Sequence, residues 1–341
     1  MLNPVFVHLG TAPVEHLWLN LKRFSELFPE YPPKIILNNN SHAEKAKNLG
    51  ISITYYQPSD YQNQLLESLS NGLAFRQGFW RYTLERLFAL ETFHNQHPSD
   101  SILHIESDVL LMPNFPFFDF ESSKKLAWTN YNAERDVSAI LYSPKIEETA
   151  WLVREIEKLL AADKFLTDMT ALAQIRAMNL DRVNQLPGVK EATSEGLSHC
   201  YDSAVLGMWL CGEDPRNHYG TLRLHSNSEF TRGSIDYDPS KLNYSYSSDV
   251  GLQIELASRP VTINCLHVHS KDLELFGQNW DRRLENFVNL SQQAKPMKRF
   301  LLPVLIQLIK DNVTQRTLIR FLIGIPPFYK FRIWARKKLE K

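Results

Sequence analysis

The first 55 residues alternate short apolar runs with amphipathic stretches, and this alternation constrains the fold more than any other feature of the chain. Val5-Phe-Val-His-Leu9 is an apolar run of strand length that ends in Gly10-Thr-Ala-Pro13. From 14 to 28, Leu17, Leu21, Phe24 and Phe28 recur at helical spacing. Residues 29–33, with three prolines, stop that helix. Lys34-Ile-Ile-Leu37 is a second strand, closed by Asn38-Asn-Asn-Ser41. Residues 43–49 form a short helix with Gly50 as its stop, and Ile51-Ser-Ile-Thr-Tyr55 alternates as a third strand. A β-α-β-α-β order with helical crossovers argues a parallel, doubly wound sheet. Ligands bind such sheets beyond the carboxyl ends of the strands, so the residues just after each strand are where chemistry is sought.

The rest of the chain continues the pattern. Phe79, Leu84, Leu87, Phe88 and Phe93 predict an amphipathic helix over 78–94, and a buried strand follows at 102–105. Further strands are predicted at 125–129, 138–142 and 262–268, and helices at 145–162, 168–179 and 201–211. At 341 residues, 43% hydrophobic, the chain can bury one large α/β core or a core with a smaller helical appendage. Its three cysteines, Cys200, Cys211 and Cys265, form no CxxC pair and read as buried thiols of a reducing compartment. The N-terminus has no basic start and its apolar stretch is broken by Pro4 and His8, unlike an export signal. No run approaches the roughly 18 apolar residues of a spanning helix. Neither GxGxxG nor GxxxxGK[ST] occurs, which counts against dinucleotide enzymes and P-loop kinases. GxSxG and HExxH are absent too.

The strongest local feature is Glu106-Ser107-Asp108, at the mouth of the apolar run Ile102-Leu-His-Ile105. Two carboxylates one residue apart can turn together toward a hard divalent cation, which prefers oxygen ligands and leaves positions open for phosphate. The plainer alternative is that Asp108 caps a turn and Glu106 is solvated. The apolar frame on both sides favours the first, because acids at the mouth of a buried strand need a reason. A second feature is Asn264-Cys-Leu-His-Val-His-Ser-Lys271, a strand-like run ending in two imidazoles and an ammonium. Imidazole can complete a metal shell and Lys can hold phosphate as a point charge; the alternative is a pair of ordinary surface histidines.

The acid segment resembles the Asp-x-Asp element of GT-A glycosyltransferases, with Glu106 in place of the first Asp. That resemblance spans residues 1–280 and is sharp at 102–113 and 262–273. It implies a GT-A-like, Rossmann-like, mostly parallel twisted sheet flanked by helices, acting on a nucleotide sugar. It assigns Asp108 to the metal, Mn²⁺ or Mg²⁺, which bridges the donor diphosphate. Glu106 then contacts the donor ribose, or the metal through water. His269 becomes the third ligand and Lys271 steadies the leaving diphosphate. His267 and His269 are exchangeable in this assignment, since both point the same way from a strand. Thr11 lies where this family holds the nucleotide base, with a UDP-sugar the first donor to consider.

Three further residues carry paired expectations. Asp202 opens Tyr201-Asp-Ser-Ala-Val-Leu-Gly-Met-Trp-Leu-Cys211 and can be a helix N-cap. The segment also resembles an acceptor-side element of bacterial glycosyltransferases, which makes Asp202 an acceptor-facing carboxylate or base. Arg81 can reach the donor phosphates or pair with Glu106 or Asp108; alternatively it pairs with Glu85 one turn on. Asp168, at a helix start, serves the first turn or contacts substrate.

The formal net charge of zero hides an asymmetry. Residues 295–341 carry twelve Lys or Arg against two acids, leaving the rest of the chain at −10. Bases mixed with apolar and aromatic side chains suit an interfacial helix against an anionic leaflet, or equally a helical flap packed on the core. The expected organisation is therefore a catalytic domain over 1–280 and a basic amphipathic helical region over 281–341. It would be cytoplasmic, peripheral on the inner face of the membrane, and would take a glycan or lipid-linked acceptor. No nucleic acid is expected, since no recognised binding motif accompanies the charge. The rival reading is a membrane-associated module with the same fold and no turnover. A glycosidase using Glu106 and Asp108 ranks lower, because one-residue spacing makes flanking a glycosidic bond awkward.

Overall fold

The computed structural model describes residues 1–12, 14–70, 78–212, 237–277 and 279–293. The basic segment 295–341 and Glu213 to Arg216 of the acceptor-side segment lie outside the described residues. The alternation read from the N-terminal sequence is present: β1 (Leu2–His8), α1 (Glu15–Leu27), β2 (Lys34–Leu37), α2 (Ala43–Asn48) and β3 (Ser52–Tyr55). Next come α3 (Asp60–Glu67), α4 (Phe79–Gln96), β4 (Ser101–Ile105), β5 (Val109–Leu111) and α5 (Phe117–Ser122). The hairpin β6 (Leu126–Asn132) and β7 (Arg135–Ser143) leads to α6 (Ile146–Ala162), α7 (Asp168–Met178), β8 (Val183–Leu186) and α8 (Val189–Glu195). The remainder is β9 (His199–Cys200), α9 (Val205–Cys211), β10 (Asn243–Ser247), β11 (Gly251–Leu256), β12 (Arg259–Ile263), β13 (Cys265–His267), α10 (Leu273–Phe276) and α11 (Trp280–Gln293).

The architecture is α/β, with a mostly parallel central sheet flanked by helices. Its seven strands run β3-β2-β1-β4-β7-β6-β8. The first four pair in parallel, β7 runs antiparallel to both β4 and β6, and β8 is parallel to β6. Alternation along the strands sorts side chains to two sides. Phe6, Ile35, Leu37, Leu103 and Ile105 pack with α1 and α5 residues, including Leu17, Phe24, Phe117 and Phe120. Val5, Ile36 and Ile102 pack against Leu84, Phe88, Leu152 and Leu172, from α4, α6 and α7. Each such buried side chain contributes about 1.5–3 kcal/mol, so both faces resist exposure and the register is fixed.

A third cluster gathers around a smaller sheet, β10-β11-β12-β9, covered by α9 and α11. Helix α11 starts where the basic region was expected to begin, and its Leu284 and Val288 are buried in this cluster. The strand predicted over 262–268 is two strands broken at Asn264. The Asn264 N–H donates to the Cys200 carbonyl, while its own carbonyl accepts from Met112 N–H. On one side β12 pairs with β9 and β11; on the other β13 pairs antiparallel with β5, which sets His267 opposite Val109. No helix among the described residues is long and apolar enough to cross a membrane.

Candidate active site

Strand β4 ends at Ile105, and the chain turns tightly before β5: the Val109 N–H returns to the Glu106 carbonyl at 3.1 Å. That turn presents Glu106 and Asp108 at the carboxyl end of a strand in the parallel half of the sheet. Helix α1 holds it from below through a polar stripe that its apolar periodicity conceals. His16 Nε2 lies 3.3 Å from Ser107 Oγ. Asn20 Nδ2 donates to the Ser107 and Val109 carbonyls, and Arg23 Nη2 to the Leu111 carbonyl at 2.8 Å. These buried side chains give β5 hydrogen-bond partners on the edge that β13 leaves open.

Three potential ligand atoms converge here. One atom each of Glu106, Asp108 and His267 all lie within 4.8 Å of one another, and all three residues are buried. His267 Nε2 is 3.4 Å from Asp108 Oδ1 and 3.5 Å from Glu106 Oε2. Two carboxylates and an imidazole fit the donor preferences of Mn²⁺ or Mg²⁺. Burial alone would raise the Asp108 carboxyl, but Lys271, His267 and His16 outweigh it and hold it well below the ordinary range. Burial alone would likewise lower His267, but Asp108 and Glu106 outweigh it and favour the imidazolium.

Around the cluster, charges are paired. Arg86 Nη2 bridges Glu106 Oε1 at 2.8 Å and Asp168 Oδ2 at 2.7 Å. Ser138 Oγ donates to the same Glu106 oxygen at 2.9 Å. Although burial opposes it, Glu106 and Asp168 raise the Arg86 guanidinium, which stays charged. Asp168 is the first residue of α7, where Thr167 already forms the capping box with Thr170. Its carboxylate is therefore free to meet Arg86 and is 3% exposed. Helix α7 is docked for this by a fork of Arg176 onto Asp136, at 2.6 and 2.9 Å, on β7. Asp136 also accepts from Trp128 Nε1 and Asn130 Nδ2.

The other sequence-derived residues fall as follows. Lys271 Nζ lies 2.8 Å from Asp108 Oδ2. His269 is outside the converging group among the described residues: β13 stops at His267, the His269 N–H folds back to the His267 carbonyl, and the two rings stack at 4.4 Å. Arg81 does not meet Glu106 or Asp108; it pairs with Glu85 Oε2 at 3.2 Å and Asn63 Oδ1 at 2.8 Å. Thr11 is exposed just past β1, beside Gly10, whose N–H is held by Asn38 Oδ1. Asp202 is 1% exposed, and its two oxygens accept four backbone N–H groups. Burial raises its pKa and those N–H groups oppose the rise. Sequence reasoning passed over Arg86, Ser138 and His16. Arg86 had a signal, a second arginine five positions after Arg81 on the helix leading into the acid-bearing strand.

No protein-family model matches the chain, and no curated protein matches it. Solved structures do. The galactosyltransferase LgtC, in complex with donor and acceptor sugar analogues, is 9% identical over 86% of this chain and 96% of its own, with a TM-score of 0.43. The PaToxG glycosyltransferase is 12% identical over 57% of this chain and 71% of its own, with a TM-score of 0.36. Mouse xyloside xylosyltransferase 1 is 11% identical over 54% and 84%, with a TM-score of 0.33. These structural neighbours are glycosyltransferases, and each score lies below one half.

Proposed function

We propose that this chain transfers a sugar from a nucleoside-diphosphate donor to an acceptor hydroxyl, with Glu106, Asp108 and His267 holding Mn²⁺ or Mg²⁺. The observation that carries the reading is the convergence of two buried carboxylates and one buried imidazole at the carboxyl end of a parallel strand. When bound, the cation supplies charge stabilisation for the departing diphosphate. His267, rather than His269, is the ligand in this reading. Lys271 exchanges its carboxylate partner for a phosphate oxygen of the donor. Arg86 holds Glu106 in place through its 2.8 Å contact, so that the carboxylate pair is preorganised. Thr11 and the Asn38 loop border the place for the base.

The basic segment 295–341 supports a further element of the proposal, contact with an anionic membrane surface that brings the enzyme to a lipid-linked acceptor. Co-sedimentation of the full chain with vesicles tests it: binding to vesicles rich in phosphatidylserine and not to neutral ones is expected, and equal binding to both refutes it.

The metal reading is tested by thermal shift. UDP with Mn²⁺ is expected to raise the melting temperature of the wild type more than either alone, and not that of Asp108→Asn. Equal stabilisation of both proteins would refute the assignment.

A further inference from the structure

The surroundings of Asp202 point away from an acceptor and toward His267. Asp202 Oδ1 accepts from the N–H groups of Ala204 and Leu206, both at 2.9 Å. Oδ2 accepts from Gly207 at 2.8 Å and from His267 at 3.0 Å. Four charge-assisted bonds occupy the lone pairs of one carboxylate. Three donors lie in the turn and first residues of α9; the fourth is the backbone of the residue whose ring meets Glu106 and Asp108.

Gly207 completes the contact. A Cβ built there would lie 1.8 Å from the His267 carbonyl oxygen and 2.6 Å from its carbon. Any side chain would therefore push α9 off β13. The chain tolerates a left-handed alanine to make this approach, with Ala204 at φ +113. His267 is thus gripped on both sides of its backbone. Among the described residues its ring lacks the usual orienting bond: Nδ1 is buried with no hydrogen-bond partner there. A metal-ligating imidazole normally donates its second nitrogen to a fixed outer partner.

We propose that Asp202 and Gly207 form a backbone clamp that sets the position of His267, replacing the missing hydrogen bond on the ring. Asp202 is then a positioning residue and not a base. The proposal rests on the metal reading given above.

The test is Mn²⁺ titration of the full chain, followed by electron paramagnetic resonance. Asp202→Asn is expected to weaken Mn²⁺ binding by about 10- to 100-fold. Gly207→Ala, which changes no charge, is expected to weaken it similarly. Glu148→Gln loosens a distant, part-buried contact, the 2.6 Å bond to Arg182; it is expected to lower stability while leaving Mn²⁺ affinity within about twofold. Should Asp202→Asn fail to fold, it is remade with Ala204→Gly, which removes the positive-φ strain. Mn²⁺ affinity unchanged in both clamp variants, with His267→Ala showing a loss, overturns the clamp alone. Unchanged affinity in His267→Ala overturns the metal reading beneath it.

Discussion

The ammonium of Lys271 lies 2.8 Å from Asp108 Oδ2, although 163 positions separate the two in sequence. The lysine reaches it from a left-handed backbone, φ +53, just past the end of β13. A cation is thus already placed against the carboxylate assigned to a metal. Lys271→Met is expected to strengthen binding of Mn²⁺ alone by about tenfold, equivalent to 1.4 kcal/mol, and to weaken binding of UDP in the presence of Mn²⁺. Calorimetric titration checks both signs, and weaker Mn²⁺ binding would contradict the account.

Arg86 and Arg81 share one helix and differ in what they neutralise. Removing Arg86 leaves two buried acids, Glu106 and Asp168, without their common partner. Arg86→Ala is expected to cost about 3–5 kcal/mol in urea unfolding. Arg81, 18% exposed, pairs with a single buried acid, Glu85, one turn away. Burial already raises the Glu85 carboxyl, which can take up a proton once the arginine is gone, so Arg81→Ala is expected to cost less, about 1–3 kcal/mol. Equal losses would contradict the placement of Arg86 beneath the site.

Acid should destabilise the fold partly through His104. Its Nδ1 donates to the Val5 carbonyl, and burial, with Arg86 nearby, lowers its pKa from 6.5 to about 3. The unfolded chain therefore takes up this proton first. The stability that depends on a neutral His104 is complete above pH 6.5 and is lost as pH falls from there toward 3. Between pH 7 and 5 this one group accounts for about 2 kcal/mol. His104→Asn is expected to shrink the difference between unfolding free energies at those two pH values, and an unaltered difference would contradict the assignment.

His267 should carry a proton that a cation must displace. Asp108 and Glu106 favour its charged form against the effect of burial. Mn²⁺ affinity is therefore expected to rise with pH through the imidazole range and just above it. Calorimetry in buffers of different ionisation enthalpy should show about one proton released per ion at neutral pH. Release of none would place the ligand elsewhere.

The sequence disclosed the strands that depend on local pattern. The apolar runs at Val5, Lys34 and Ile51 appear as β1, β2 and β3 within a few residues. It concealed whatever tertiary contacts decide. The break at Asn264 interrupts a run that reads as one strand, because two different sheets compete for the backbone on either side. Helix α9 starts at Val205 and not at Tyr201, because the Asp202 side chain captures the N–H groups that a helix would leave open. Asn20 and Arg23 sat hidden between Leu17, Leu21 and Phe24, and only docking against β5 gives them a purpose. Which arginine of α4 and which histidine after β12 reach the acids likewise depends on packing angles and on where β13 stops.

The most direct test is consumption of donor. UDP-, GDP-, CMP- and dTDP-sugars are incubated with the wild type and with Asp108→Asn, with and without Mn²⁺, and the released nucleotide is measured. Release from one donor class that requires Mn²⁺ and disappears in Asp108→Asn is the expected result. Consumption of no donor under any condition, or release that Asp108→Asn leaves intact, would contradict metal-dependent glycosyl transfer at this site.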